Sequence, residues 1–146
     1  MHWFPEVTIT TTDRRRLVSL ATEALASRRD GVAASMLLSK IAEATIVTPD
    51  LLPTTVVALG CEVEVRDNIN DTTENLRIVF PGDERGRERA ISVLTSVGAA
   101  LFGLSEGESI EWCTTAKDRK SLTVLRVWCS PARRKLERDA ANSIYR

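Results

Sequence analysis

The chain has 146 residues, of which 43% are hydrophobic and 27% charged, a composition that suits one compact domain with a small appendage and excludes disorder of the whole chain. Its formal net charge is zero, so the molecule as a whole carries no electrostatic footprint for nucleic acid or for an anionic membrane. Apolar stretches fall short of the roughly 20 residues of a spanning helix, and the first ten residues lack the pattern of a signal peptide. We therefore expect a cytoplasmic protein without membrane contact.

The first predicted element is a pair of amphipathic helices at residues 1–48. The first helix starts near Asp13, with Thr12 placed to cap it, and the second ends before Pro49. The apolar residues at helical spacing are Leu17, Leu20, Ala21, Ala24 and Leu25, then Ala34, Leu37, Leu38, Ile41 and Thr45. Joined by a short polar turn, these stripes predict an antiparallel hairpin, an arm of roughly 20 to 25 Å at about 1.5 Å per residue.

The turn of this hairpin carries Arg28, Arg29 and Asp30. One interpretation is that Asp30 caps the second helix by accepting a hydrogen bond from the backbone N–H of Val32 or Ala33. The alternative is a functional carboxylate at the tip of the arm. Two fixed positive charges beside a single acid would weaken the capture of a metal ion.

From Thr55 the periodicity changes to two, which predicts a sheet domain at residues 54–130. The last strand carries apolar residues on both faces and is expected to be central. The predicted strands are 56–65, 76–80, 91–94, 109–114 and 122–128, with a brief helix at 97–102 capped by Thr95 or Ser96 and stopped by Gly103. The polar, basic tail at 131–146 is expected to be partly disordered.

Cys61, Cys113 and Cys129 form an odd, widely spaced set without a C-x-x-C pair. This pattern argues against a disulfide framework and against a zinc site. We expect buried, inert thiols, because a free cysteine behaves as a small hydrophobe. Gly98 and Gly103 match neither a dinucleotide fingerprint nor a phosphate loop. The sequence predicts no catalytic residue, no metal site and no cofactor.

The segment ISVLTSVGAALFGLSEGESIEW, followed by SLTVLRVW, resembles the C-terminal domain of the bacterial GreA/GreB transcript-cleavage factors. The longer pattern from ATIVTPDLLPTTVVALGCEVEVRD to LRIVFPGD is closer to the Rnk branch of that family, the regulators of nucleoside diphosphate kinase. The likeness spans roughly residues 13–128. It departs from the family at Ser96, where proline is usual, and at WCSPA after the last strand. The resemblance implies an α+β fold: a short N-terminal antiparallel coiled coil, then an FKBP-like antiparallel β domain with one short helix.

The resemblance also implies a function. Family members bind RNA polymerase, with the sheet domain at the rim of the secondary channel and the arm pointing inward. With one acid at the tip, this arm is not expected to hold the second magnesium ion that transcript cleavage requires. We therefore expect a transcription regulator that is not an enzyme, that affects nucleoside diphosphate kinase indirectly, and that meets nucleic acid only weakly, through the polymerase complex. The predicted docking residues are Phe102, Leu104, Ser105, Glu106 and Trp112. For the apolar members of that set, burial in the core is the competing interpretation.

Two other functions stay open. An FKBP-like prolyl isomerase needs an aromatic-lined pocket, and an aromatic content of 5% supplies little to line one. A dimeric adaptor could form through the stripe of the hairpin. The chain is expected to be a monomer or a weak dimer.

Overall fold

The computed structural model describes residues 5–86, 89–113 and 118–129. The tail at 131–146, for which partial disorder is expected, lies outside these residues. In chain order the elements are β1 (Thr8–Thr10), α1 (Thr11–Ala26), α2 (Gly31–Glu43), β2 (Thr45–Val47), a single 3-10 turn (Pro49–Leu51), β3 (Glu62–Asp67), β4 (Thr72–Val79), β5 (Ala90–Ser92), α3 (Ser96–Leu101), β6 (Ser109–Cys113) and β7 (Arg119–Trp128).

The two N-terminal helices form as predicted and pack against each other. Their contact uses small and branched side chains that are buried on both helices: Leu17, Ala21 and Ala24 on α1, and Ala33, Ala34 and Leu37 on α2. The cap of α1 differs from the prediction, since the Asp13 backbone N–H donates to Thr10 Oγ1 at 3.1 Å. Thr10 is the last residue of β1 and has extended backbone angles, so the helix starts directly after the strand.

Two short parallel strands bracket the helix pair, and the sequence did not predict them. Ile9 of β1 pairs with Ile46 of β2. The Thr8 backbone N–H donates to the Gly103 carbonyl at 3.2 Å, and the Thr45 N–H donates to the Val7 carbonyl at 2.9 Å. Strands of three residues are too short to show a period. The hydrogen bond from Thr8 N–H to the Gly103 carbonyl also connects the N-terminal unit to the loop that follows α3.

Within the described residues, five strands form one sheet in the order β5-β4-β3-β7-β6. Its pairs are antiparallel except for β4 with β5, which is parallel. The strand β7 is interior, between β3 and β6, as predicted. Only one of its faces is covered, however, because Leu125 and Trp128 are 37% and 44% exposed while Val124 is fully buried.

The segment 56–59 is a buried loop and not the strand that the sequence predicted. Val56 makes a single bridge with Ser105. Val57 exchanges backbone hydrogen bonds with the loop after α3, accepting from Gly103 N–H at 2.9 Å and donating to the Leu104 carbonyl at 2.8 Å. Four consecutive apolar residues (Val56, Val57, Ala58, Leu59) are all buried here, which a strand with one exposed face cannot achieve. The strand β3 begins only after Gly60, whose φ is +86°.

The short helix α3 lies in the core, and its cap is Thr95, one of the two predicted candidates. Thr95 Oγ1 accepts a hydrogen bond from the Gly98 backbone N–H at 3.0 Å. Ala99, Ala100 and Leu101 are fully buried, and the same hydrophobic cluster includes residues of α1, α2 and the sheet. The helix pair therefore shares one continuous core with the sheet.

The cysteine prediction was wrong for all three residues. Cys61 and Cys129 form a disulfide, with their Cα atoms 4.4 Å apart, and they stand 68 positions apart in the sequence. Cys113 is a free thiol, but it is exposed. The pairing of Glu62 with Trp128 in the β3–β7 ladder brings Cys61 and Cys129 opposite each other, and no spacing rule in the sequence reveals that register.

Across the described ranges, no helix is both long enough and apolar enough to cross a membrane.

Candidate functional site

The loop at residues 103–108, between α3 and β6, carries most of the predicted docking residues and is called the docking loop below. It begins at Gly103, whose φ of +84° lies in the region that favours glycine. The bonds of Gly103 and Leu104 to Val57 hold its start against the buried segment 56–59. Further along, the Glu106 backbone N–H donates to the Thr55 carbonyl at 3.0 Å. Backbone hydrogen bonds to Thr55 and Val57 thus hold this loop at several points.

Two of the five predicted docking residues cannot offer a side chain to a partner. Phe102 and Leu104 are 1% and 0% exposed, because they close the core beneath the loop. Burial, the competing interpretation, is correct for both. The expected apolar patch of Phe102, Leu104 and Trp112 is therefore absent from the surface.

The other three predicted residues reach the surface. Ser105 is half-buried and Glu106 is exposed. The Ser105 backbone N–H donates to Glu108 Oε1 at 2.7 Å, and Glu106 Oε2 accepts from the Val127 backbone N–H at 2.8 Å. These two carboxylates shape the loop, so the surface that it presents is polar and acidic.

Trp112 lies on β6, the strand that follows the docking loop in the chain, and not in the loop itself. Its side chain is half-buried and packs against the core. The indole Nε1 is buried and finds no hydrogen-bond acceptor among the described residues. Trp112 therefore presents part of an aromatic side chain at the surface, without the polar contact that a buried indole usually makes.

The turn between α1 and α2 places Arg28, Arg29 and Asp30 at one end of the helix pair, all exposed. The end of α1 has the two hydrogen bonds of a Schellman motif, since Arg29 N–H donates to the Ala24 carbonyl at 2.8 Å and Arg28 N–H to the Leu25 carbonyl at 3.1 Å. Arg28 has a φ of +55°, in the position where glycine is usual.

The interpretation of Asp30 as a side-chain cap was wrong. Asp30 occupies the N-cap position of α2, but its side chain makes no capping hydrogen bond and its backbone is left-handed, with φ 49° and ψ 41°. A side-chain cap needs an extended N-cap backbone, which the tight turn after Arg29 does not allow. Asp30 is thus an exposed carboxylate beside two exposed guanidinium groups. In the part of the chain that the structure describes, no cluster of three metal-ligating side chains occurs, at the tip or elsewhere.

A residue that the sequence analysis missed joins the helix pair to the sheet domain. Lys40 of α2 is 0% exposed, and its Nζ donates to the Ala100 and Phe102 carbonyls at the end of α3, the latter at 2.9 Å. Burial lowers the pKa of the Lys40 amine well below its usual value, while the charge of Glu108 acts in the opposite direction. A signal existed in the sequence: Lys40 follows Leu37 by three residues and Ala33 by seven, so it lies on the buried stripe of α2.

The profile of the family "Transcription elongation factor, GreA/GreB, C-term" matches residues 52–128. The proteins named "Regulator of nucleoside diphosphate kinase" from Escherichia coli strain K12 and from Shigella flexneri are each 34% identical over 80 residues, covering 54% of this chain and 58% of theirs. The chain thus matches little more than half the length of these relatives.

A solved structure is similar over most of the chain. The structure titled "Prokaryotic transcription elongation factor GreA/GreB from Nitrosomonas europaea" is 27% identical, with a TM-score of 0.63, and the match covers 86% of this chain and 99% of that one. It therefore extends beyond the sheet domain to the helices. The chain belongs to the GreA/GreB transcription elongation factor family, by its C-terminal domain.

Proposed function

We propose that this protein is a cytoplasmic transcription regulator that binds RNA polymerase at the rim of the secondary channel and does not stimulate transcript cleavage. The sheet domain at 54–130, of the FKBP-like type, docks through the exposed part of the docking loop, Ser105 and Glu106, together with Trp112. The helix pair is a short antiparallel coiled coil that points into the channel. The observation that carries this proposal is the family match over residues 52–128.

The chemistry of the arm tip supports the second half of the proposal. A single carboxylate is a poor site for an additional magnesium ion, because this small, hard cation requires several oxygen ligands and one carboxylate supplies few of them. The tip offers Asp30 alone, and Arg28 and Arg29 add two positive charges beside it. At such short range these charges oppose the approach of a divalent cation. The protein is then a regulator and not an enzyme, with no cofactor of its own.

The names of the E. coli and Shigella relatives suggest what is regulated. Both are called regulators of nucleoside diphosphate kinase. A polymerase-bound factor would alter the amount of that kinase through transcription, so we propose an indirect effect. Contact with nucleic acid would be weak and would occur inside the polymerase complex.

A competition experiment tests the docking. Core RNA polymerase is captured with the tagged protein at moderate salt, with and without an excess of a Gre factor. We expect capture that the Gre factor abolishes. Glu106→Ala should weaken capture, whereas Glu74→Ala, which removes an exposed glutamate from β4, should leave it unchanged. No capture of polymerase, or capture insensitive to the competitor, would refute docking at the secondary channel.

A cleavage assay tests the tip. Backtracked elongation complexes are incubated with magnesium and either this protein or a Gre factor. We expect the Gre factor alone to accelerate cleavage of the transcript. Acceleration by this protein that disappears in Asp30→Asn would show that one carboxylate suffices, and the argument from charge would be wrong.

The two alternatives have direct tests of their own. A prolyl isomerase would accelerate cis/trans exchange of a proline peptide, and we expect the uncatalysed rate. A dimeric adaptor would sediment at twice the chain mass, whereas we expect a monomer or a weak dimer. No contact in the described residues favours either alternative over polymerase binding.

A further inference from the structure

The arm, formed by α1 and α2, has almost no linker at its base. Thr10 is both the last residue of β1 and the N-cap of α1. At the other end, only Ala44 separates the end of α2 at Glu43 from the start of β2 at Thr45. Since β1 and β2 pair with each other, both helices run directly into one two-stranded ribbon. A hinge needs residues that can change their backbone angles, and the base of the arm offers very few.

This ribbon contacts Gly103, the first residue of the docking loop. The Thr8 N–H donates to the Gly103 carbonyl at 3.2 Å, and the Gly103 N–H donates to the Val57 carbonyl at 2.9 Å. Gly103 therefore joins the ribbon to the buried segment 56–59 through its two backbone groups. The packing is also close, because a Cβ at Gly103 would collide with Val7 Cγ1. The ribbon thus lies against the loop with no space for a side chain between them.

A second contact joins α2 to the same part of the sheet domain. Lys40 Nζ donates to the Ala100 and Phe102 carbonyls, the latter at 2.9 Å, and Phe102 directly precedes Gly103. Lys40 is 0% exposed, so bulk water does not compete for these bonds. The contacts of Lys40 and of the ribbon come from different elements of the N-terminal unit and meet at neighbouring residues of the sheet domain. Together they oppose rotation of the arm about either contact alone.

We propose that the arm and the docking loop form one rigid body, and that Lys40 and Gly103 are the residues that position the arm on the sheet domain. The arm then has one direction relative to the docking loop, both in the free protein and on RNA polymerase. Binding requires no reorientation of the arm, which avoids the free-energy cost of ordering two mobile parts. The statements about polymerase rest on the proposed function, whereas the rigidity of the free protein does not.

Distances between two spin labels on the full chain test the rigid body. One nitroxide is attached to the exposed natural thiol of Cys113 on β6 and the other to Arg29→Cys in the exposed turn of the arm, with the Cys61–Cys129 bond left oxidised. We expect one narrow distribution of distances in double electron–electron resonance, unchanged when core RNA polymerase binds. A broad distribution or two separate distances in the free protein, or a new distance on polymerase, would overturn the rigid body.

Two variants with matched controls test the positioning residues in the same measurement. Gly103→Ala should displace or broaden the distribution, because its Cβ collides with Val7. Gly107→Ala should leave it unchanged, since Gly107 has nearly the same φ, +89° against +84°, but a Cβ there meets nothing within 4 Å. Lys40→Met should broaden the distribution and Lys120→Met should not, and this pair decides alone if Gly103→Ala does not fold. Unchanged distances in Gly103→Ala and in Lys40→Met would overturn the positioning roles.

The effect on docking is then measured as the dissociation constant for core RNA polymerase. We expect Lys40→Met to bind about fivefold more weakly, at the lower end of the usual coupling between two sites, and Lys120→Met to bind as the natural protein does. Equal affinities of Lys40→Met and the natural protein, with a broadened distance distribution, would overturn the link between arm direction and docking. No binding by the natural protein would refute the proposed function, while the distances in the free protein still decide on the rigid body.

Discussion

The buried amine of Lys40 is a contact between the arm and the sheet domain that a single substitution can remove. Lys40→Met keeps the apolar stem of the side chain and nearly its volume, but it takes the donor away from the Ala100 and Phe102 carbonyls. A buried carbonyl that loses its donor costs about 1–3 kcal/mol. Removal of the amine also relieves the cost of burying it, which opposes this loss. We expect a net decrease of roughly 2 kcal/mol in the free energy of unfolding at neutral pH.

The pH dependence of this difference follows from the lowered pKa of Lys40. The unfolded chain keeps the proton up to the ordinary pKa of 10.5, whereas burial makes the folded protein release it at a lower pH. Between these two values the unfolded state binds more protons, so the free energy of unfolding rises with pH, by at most about 1.4 kcal/mol per pH unit. Below the folded pKa, and above 10.5, Lys40 contributes no slope. The charge of Glu108 raises the pKa of folded Lys40 in part, so it narrows the pH range over which stability rises but does not change the sign of the slope.

Urea denaturation at a series of pH values measures the effect. The natural protein should gain stability relative to Lys40→Met as the pH rises toward 10.5, because all other titrations are common to both chains. Lys120→Met, which replaces an exposed lysine of β7, is the control and should follow the natural protein. A Lys40→Met protein with unchanged stability, and a difference that does not vary with pH, would refute the reasoning.

Two further substitutions test local geometry. Gly98→Ala should lower the free energy of unfolding by about 1–3 kcal/mol, because a Cβ at Gly98 would collide with the backbone carbonyl of Ser92. Gly31→Ala is the control and should not destabilise the protein, because a Cβ at Gly31 meets nothing within 4 Å. Equal thermal midpoints of the two variants would contradict the close approach of Gly98 to Ser92. Arg28→Gly should raise the free energy of unfolding by roughly 1 kcal/mol, since its φ of +55° suits glycine. Arg29→Gly is the matched control, and if it stabilises equally in urea denaturation, the left-handed backbone is not the cause.

Periodicity in the sequence was a sound guide to the elements that are long or have a clear cap. The stripes of α1 and α2 appear because each helix buries one face, and Thr95 was one of two cap candidates, with Ser96, before a short apolar run. The segment 56–59 was wrongly predicted as a strand, because a continuous apolar run looks the same in a buried strand and in a buried loop. The strands β1 and β2 are too short to carry any period.

The candidate site was only partly predictable. The docking loop could be located from the family resemblance, but sequence could not separate the buried Phe102 and Leu104 from the exposed Glu106. That distinction depends on which side chains face the core below the loop. The role of Glu106 in holding Val127 was also invisible, since the two residues are distant in the chain and meet only through the sheet.

The sequence by itself determined the family, the order of the helices and of the strands from β3 onward, and the charge at the arm tip, because these depend on residue type and on local spacing. Tertiary structure alone decided the Cys61–Cys129 bond, the hydrogen bonds of Lys40 to the end of α3 and the exposure of Cys113. Each of these is a relation between residues that are far apart in the chain or a matter of which face a strand turns to solvent. Such relations are set by strand register and by packing of the shared core, and no local pattern of residues encodes them.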